Sequence, residues 1–385
     1  MSWNTKKIKE VGIVVTGKTP KKSREEYYGG NTPFITPPNL DSQNPIQNTE
    51  TTLSKLGEQV ANVLPIDTVM VSCIGSLGKV GITGSQKSTT NQQINSIIFD
   101  QDVIYPRYGY HYCRKLKPIL EQIAPSTTLP IINKTRFENL QIAYPPLEEQ
   151  KRIAAILDKA DQLRQQRQRA IDRLDDLLQS VFLDMFGDPV TNPMGWDKVS
   201  LGELAEVKTG GTPRRDHPEY YGGNIPWVKT TEVVNSVIVK TEESITDVAL
   251  NNSNCRLFPK DTIIIAMYGQ GLTRGRTAKL GIPATTNQAC AAILPSQTIA
   301  TDYLWVYLQL SYEQLRFLGR GGNQPNLNLS LVRNFEVILP NNEYQKKFAN
   351  IVNEIHLRKQ HFIEQTKQID ALNSSILHRA FRGEL

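Results

Sequence analysis

The sequence predicts an α+β protein: two similar globular units with mixed β-sheets, and two long antiparallel coiled-coil helices related by a pseudo-two-fold axis. Three observations predict this. The chain repeats itself at an offset of 193 to 196 residues. Each copy alternates short β-rich runs with turn clusters, and each is followed by a long stretch free of Pro and Gly.

The repeat comes first. Residues 16–34, TGKTPKKSREEYYGGNTPF, align without a gap to residues 209–227, TGGTPRRDHPEYYGGNIPW. LPIDTVMVSCIG from Leu64 parallels FPKDTIIIAMYG from Phe258. Thr89-Thr90-Asn91-Gln92 matches Thr285-Thr286-Asn287-Gln288, and FENLQIAYP from Phe137 parallels VRNFEVILP from Val332. Small loop insertions account for the drift in offset. Ordered blocks of this kind mark a tandem duplication.

Within the first copy, Val11–Val15, Val69–Ile74, Ser96–Phe99 and Gln141–Tyr144 read as strands between Gly, Pro, Asn and Asp clusters. The second copy repeats them at Leu204–Val207, Ile263–Met267, Ala291–Leu294 and Phe335–Leu339. One amphipathic helix per copy is expected, over Tyr108–Gln122 and Thr301–Leu318.

The Pro- and Gly-free stretches are Leu147–Phe186 and Glu343–Phe381. In the first, Ile153, Ala160, Leu174 and Val181 recur every seven residues, broken by Arg167, with Ile156, Leu163, Ala170 and Leu177 three behind. In the second, Phe348, Ile355, Phe362, Ile369 and Ile376 keep the period without exception, while Arg358 and Gln365 interrupt the companion series of Ile351 and Leu372. Such heptads predict paired rods of roughly 58 Å each. The expected partner of each helix is the other, running antiparallel; pairing with other chains is the alternative. The resulting division is 1–145 and 188–340 for the globular units, 146–187 and 341–385 for the helices.

Size and composition bound the function. A chain of 385 residues suits two domains or more, and 39% hydrophobic with 21% charged residues describes a folded protein. The opening MSWNTKKIKE has no apolar signal region, and the longest apolar stretch, Ile263 to Met267, is too short for a bilayer. No membrane role is expected. Cys73, Cys113, Cys255 and Cys290 form no CxxC pair, and His111 with Cys113 lacks further ligands, so neither metal nor disulfide framework is expected. Free thiols fit the cytoplasm. A net charge of +6 suits a polyanion such as double-stranded DNA, provided the charge is suitably placed.

Two copies of one binding unit on a stiff rod make a caliper. Sites on one face of a duplex recur about every 34–36 Å, so two heads would read two segments and leave the bases between them unread. Where the copies agree, the residues serve a shared scaffold or the phosphate backbone. The YYGGN turns at Tyr27 and Tyr220 are of this kind. In the Thr-Gly-x-Thr-Pro loops, Lys18, Thr19, Lys21 and Lys22, and then Arg214 and Arg215, suit a phosphate clamp or an ordinary solvated loop. The shared amides Asn91, Gln92, Asn287 and Gln288 suit either a structural hydrogen bond or base reading. Where the copies differ, base reading is favoured. GSLGKVGITGSQK from Gly75 offers Lys79 and Gln86; GQGLTRGRTAKLG from Gly269 offers Gln270, Arg274 and Arg276. Pro125–Thr128 and Gly319–Gln324 also differ, with Arg320 and Asn323 as candidates.

Catalytic signatures are absent. No D/N-P-P-F/Y, G-x-S-x-G or HExxH motif occurs, and Gly75-Ser76-Leu77-Gly78-Lys79 is too short for a P-loop and lacks its Ser or Thr. Asp172, Asp175 and Asp176 read as a solvated or partner-facing helix surface.

The TGGTP…YYGGNIPWV motif, the TTNQ block and the PPLEEQKRIAAILDKAD opening of the first helix resemble the specificity subunits of type I restriction–modification enzymes over nearly the full length. The second helix opens PNNEYQKK from Pro340, a weaker form of the same motif. The resemblance implies two target recognition domains that each read half of a split DNA sequence. It implies helices that act as spacer and as docking surface for two methyltransferase subunits, with nuclease–translocase subunits on that core. S-adenosylmethionine, ATP and Mg²⁺ would be used by those partners, and this chain would bind no cofactor. Two other readings are a cryptic nuclease or transferase, which lacks supporting motifs, and a coiled-coil protein with no DNA role, which leaves the basic loops unexplained.

Overall fold

The computed structural model describes residues 3–42, 44–125, 129–269, 271–319 and 326–381. The chain packs as two compact units, Met1–Arg169 with Glu364–Leu385, and Ala170–Ile363. The boundaries between the two units fall within the long helices, Leu147–Phe186 and Asn342–Ala380.

In the first unit an antiparallel sheet runs Gly12–Thr16, Ile94–Phe99, Val69–Ser72, Val80–Ile82. A mixed sheet runs Thr52–Leu53, Tyr28–Ile35, Ser88–Thr90, Val63–Leu64, with Phe34 and Ile35 parallel to Thr89 and Thr90. Asn4–Lys7 pairs with Gln141–Tyr144 as an antiparallel ribbon. The second unit repeats the plan. Its larger sheet runs Val207–Thr209, Cys290–Ile293, Ile263–Ala266, Thr277–Leu280, Val237–Ile238. Its smaller one runs Glu243–Ile245, Tyr221–Val228, Thr285–Thr286, and Lys198–Ser200 pairs with Glu336–Ile338.

The central strands read as unbroken apolar runs because both of their faces are buried. Val69 and Val71 enter one core and Met70 another. Ile263 and Ile265 likewise part from Ile264 and Ala266. Alternation along a pleated strand sends neighbours to opposite sides, and here each side has its own packing partner. The preceding turns are also alike: Asp67 and Asp261 both adopt left-handed backbone, at φ 59° and 66°, which Asp tolerates.

The single helix expected in each copy is two. Pro106–Lys115 gives way to Lys117–Ile123, and Thr301–Leu310 to Tyr312–Leu318. Pro118 has no amide hydrogen to extend the first helix and sits instead in the opening turn of the next. In the second copy the break falls at buried Ser311, where no proline announces it.

Each head is clamped to the helix that follows it by a buried glutamine. Gln150 Oε1 accepts the Tyr105 amide at 2.8 Å, and its Nε2 donates to the carbonyls of Val103 and Pro145 at 2.8 and 2.9 Å. Gln345 does the same with the Ala300 amide and the Pro340 carbonyl, both at 2.8 Å. The hydroxyls of Tyr108 and Tyr303 reach the carbonyls of Ala143 and Ile338 at 2.6 and 2.9 Å.

Within each unit the two long helices run antiparallel. In the second, Asp175 binds Lys359 at 2.6 Å, while further along Phe182 lies 5.5 Å from Phe348 between ring centres. In the first, Arg164 binds Asp370 at 3.0 Å, and Phe381 reaches the head, 5.4 Å from Tyr108 and 5.1 Å from Tyr112.

The seam of the second helix follows its heptad. Phe348 and Ile355 are buried, and Ile351, Phe362, Ile369 and Ile376 are half-buried; Leu372, however, is 59% exposed. The first helix departs from expectation. Ile153 is buried, and Ile156, Ala160, Leu174 and Val181 are half-buried, but Leu163 and Leu177 are 42% and 48% exposed. The buried series is Leu157, Ile171 and Leu178, one residue further on. Arg164 stands at the remaining position of that series; it is exposed, and its charge is met by Asp370 on the facing helix.

Candidate nucleic-acid interface

The motifs that the copies share form one seat. The Thr-Gly-x-Thr loop lies against the Thr-Thr-Asn-Gln block, held by backbone bonds from Gly17 to Ile94 and from Lys18 to Thr90, and from Gly211 to Thr286. A Cβ on Gly17 would stand 2.0 Å from the Asn91 carbonyl oxygen, and one on Gly210 2.1 Å from that of Thr286, so both positions require glycine. Thr19 donates to Gln92 Oε1 at 2.5 Å, and Thr212 donates to Gln288 Oε1. Tyr28 and Tyr221 complete the seat through bonds to the carbonyls of Pro20 and Pro213, at 2.8 and 2.7 Å.

Asn91 is buried and bound twice to Gln93, at 2.8 and 3.1 Å, which leaves its amide committed to the turn. Asn287 is half-buried and holds the chain through its backbone, receiving Cys290 and donating to Val228. Gln92 and Gln288 are exposed beyond their threonine contacts.

The cations around the seat differ between the copies. Lys18, Lys21 and Lys22 are exposed, with no carboxylate partner among the described residues. Arg214 and Arg215 are exposed too, but each has a carboxylate: Asp216 at 2.6 Å and Glu243 at 2.7 Å. Arg215 also lies over the rings of Tyr221 and Trp227, at 4.5 and 5.1 Å. Hydrogen bonding to Glu243 raises the Arg215 pKa, and the Glu243 carboxyl is held below its ordinary range by Arg215. Nearby in the first head, Glu58 holds Lys87 at 2.6 Å and Lys55 at 3.1 Å. Hydrogen bonds from Lys87 and then Thr32 pull its carboxyl down to about 2.

The variable loops correct several expectations. Arg274 is only 9% exposed, with Nε unpartnered among the described residues, so its guanidinium is not presented to a base edge in this conformation. Its place in the first copy is taken by buried Leu77; the position belongs to the loop's underside. Gln86 is half-buried, and its amide nitrogen is engaged by the Gln47 carbonyl at 2.7 Å. Lys79 and Arg276 are half-exposed at the ends of their loops. Gln270, Arg320 and Asn323 lie outside the described residues.

A second set of charges lies where the heads meet the long helices. Arg107 and His111 converge on Asp158, the latter at 2.8 Å, and Arg114 binds Asp161 at 2.5 Å. Burial pushes the Asp158 carboxyl up, but hydrogen bonds from His111 and Arg107 outweigh it and hold it low. Burial lowers His111, with Asp158 opposing. In the second head Lys279 binds Asp302 at 2.5 Å, and His356, lowered by burial, packs on Trp305 at 5.5 Å. Sequence reading missed these pairs because their partners lie dozens of residues apart. Among the described residues no group of three or more His, Cys, Asp or Glu is placed to hold a metal, and no helix is long and apolar enough to cross a membrane.

Comparison with known proteins agrees with this architecture. The chain is 24% identical to the type I restriction enzyme MjaIX specificity subunit of Methanocaldococcus jannaschii, over all of this chain and 93% of that one. It is 34% identical to the HindI specificity subunit of Haemophilus influenzae, over 41% of this chain and 36% of that one. Its fold is that of the type I restriction–modification S subunit from M. genitalium (TM-score 0.62, 16% identity, 99% and 96% covered). A chain from a study of complex assembly and conformational transition of the type I R-M system is equally similar (TM-score 0.61, 18% identity, 100% and 98% covered). The family model described as type I restriction modification DNA specificity domain matches twice, over residues 1–173 and 193–370. With its duplicated head and its paired long helices, the chain belongs to the DNA specificity family of type I restriction–modification systems, and its role is DNA recognition.

Proposed function

We propose that each head reads one half of a split target in double-stranded DNA, and that the long helices set the unread interval and dock two methyltransferase subunits. Nuclease–translocase subunits assemble on that core where a system has them. The chain works in the cytoplasm, carries no catalysis and binds no cofactor; S-adenosylmethionine, ATP and Mg²⁺ are used by the partners. The observation that carries this reading is the duplicated head: one shared seat in each copy, flanked by loops that differ in length and charge. Lys18, Lys21 and Lys22 supply backbone contacts, and Lys79 and Arg276 stand at the loops that read sequence.

The interval is tested by deleting one heptad from each long helix and mapping methylated positions with the partner subunits present. The unread spacer should change while both half-sites stay the same; an unaltered spacer rules out the caliper. The absence of catalysis is tested on the chain alone with duplex DNA and labelled S-adenosylmethionine. Methyl transfer by the isolated chain would overturn that part.

A further inference from the structure

The loop from Tyr268 to Arg276 in the second head is three residues longer than its counterpart from Ile74 to Lys79. Its Gly269, Gly271 and Gly275 all have positive φ, at 146°, 60° and 84°. A segment with three glycines in conformations that side chains disfavour has little local preference for one path, so something outside it must fix it. The described contacts name that support. The Tyr312 hydroxyl donates to the Leu272 carbonyl at 2.7 Å, and Arg316 Nη2 donates to the Gly271 carbonyl at 3.1 Å. Arg316 Nη1 in turn donates to the Tyr312 hydroxyl at 3.0 Å, which ties the two side chains together. The loop's return also rests on them: a Cβ on Gly275 would stand 2.9 Å from Arg316 Cγ and 3.5 Å from Tyr312 Cδ2.

Among the described residues the first head has no such arrangement. Its shorter loop is braced by its own strand, where Ser72 bonds the Ser76 carbonyl through its hydroxyl and receives the Lys79 amide at 2.9 Å. The Gly75 amide bonds the Pro130 carbonyl at 3.0 Å. The positions equivalent to Tyr312 and Arg316 are Lys117 and Glu121, and they line an open cavity of about 530 Å³ with Ser76 and Lys79 instead of gripping loop carbonyls.

We propose that Tyr312 and Arg316 are positioning residues for base recognition by the second head: they hold the Gly271–Leu272 tip in the path that presents the loop to DNA. The tip is open, with Leu272 59% and Tyr268 41% exposed, and half-exposed Arg276 closes the loop. Both side chains act on backbone carbonyls, so they set where the loop lies without touching DNA. The inference rests on the proposal that each head reads a half-site.

The test uses the full chain and a pool of randomised duplex oligonucleotides, with bound sequences recovered and counted for wild type, Tyr312→Phe, Arg316→Gln and the double variant. Tyr312→Phe keeps the ring and removes only the hydroxyl, and thermal unfolding monitors folding throughout. Each single variant should lower base discrimination roughly two- to tenfold in one half-site, in line with one net hydrogen bond, and leave the other half-site as it was. The double variant should lose less than the product of the singles, because the two side chains share one bracket. Unchanged preferences in the variants, or equal weakening of both half-sites, overturn the bracket while leaving the two-headed reading intact. A wild-type chain that selects no two-part sequence sinks that reading and this inference with it.

Discussion

The two heads share a seat and differ in how they hold what stands beside it. In the first, three lysines, Lys18, Lys21 and Lys22, face solvent with no carboxylate among the described residues, and the variable loop is tied to its own strand. In the second, Arg214 and Arg215 are already paired with acids, and the loop leans on a helix. The lesson is that duplication preserved the platform and left the electrostatics free to diverge. A surface ion pair must give up its partner before it meets a phosphate, so the same sign of charge has different availability in the two copies.

The largest expected effect tests whether the heads are equally stable. Phe182 sits among Phe186, Tyr303 and Phe348 in the second unit, whereas the equivalent position in the first unit is half-buried Leu377. Phe182→Ala should cost about 3–5 kcal/mol and Leu377→Ala about 2 kcal/mol, read by denaturant unfolding. Similar losses would show that the two aromatic clusters carry equal weight.

A smaller effect sharpens the charge comparison. Lys21→Ala or Lys22→Ala should weaken DNA binding evenly across sequences and reduce the slope of log K against log salt by about 0.9 for each phosphate no longer neutralised. Arg214→Ala should change the slope less, since it also frees Asp216. A larger change for Arg214 would reverse the assignment.

Much of this architecture is legible in the sequence. The Thr-Gly-x-Thr-Pro and Thr-Thr-Asn-Gln blocks reveal the duplication, and the Phe348–Ile376 heptad gives the face of the second helix. What local pattern hides is any position settled by a distant partner. Leu163 and Leu177 are as apolar as Leu157 and Leu178, and which series is buried depends on distant partners, the cluster around Phe381 for Leu157 and that around Phe348 for Leu178. Arg274 reads as a guanine ligand until its burial is seen. Tyr312 and Arg316 act on carbonyls, which carry no sequence signature at all.

The smallest effect concerns pH. His111 and His356 are both lowered from 6.5 by burial, so the unfolded chain takes up protons there before the folded one does. Their contribution to stability is therefore complete above about pH 6.5 and lost as pH falls from there towards the folded values. The second head carries Val306 where the first has His111. His111→Val should flatten the fall in melting temperature of the first unit between about pH 7 and 5. His356→Phe should do so for the second. A wild-type profile that is flat over this range would contradict both.

The division of the long helices also orders the birth of the protein. Ala170–Ile363 is one uninterrupted stretch, so its core can close as soon as that stretch has left the ribosome. The other unit waits: Tyr108 and Tyr112 pack on Phe381, a residue synthesised only after the whole of Ala170–Ile363. Of the two units, the one whose segments lie on either side of the other is therefore completed later, and until then its aromatic surface stays uncovered.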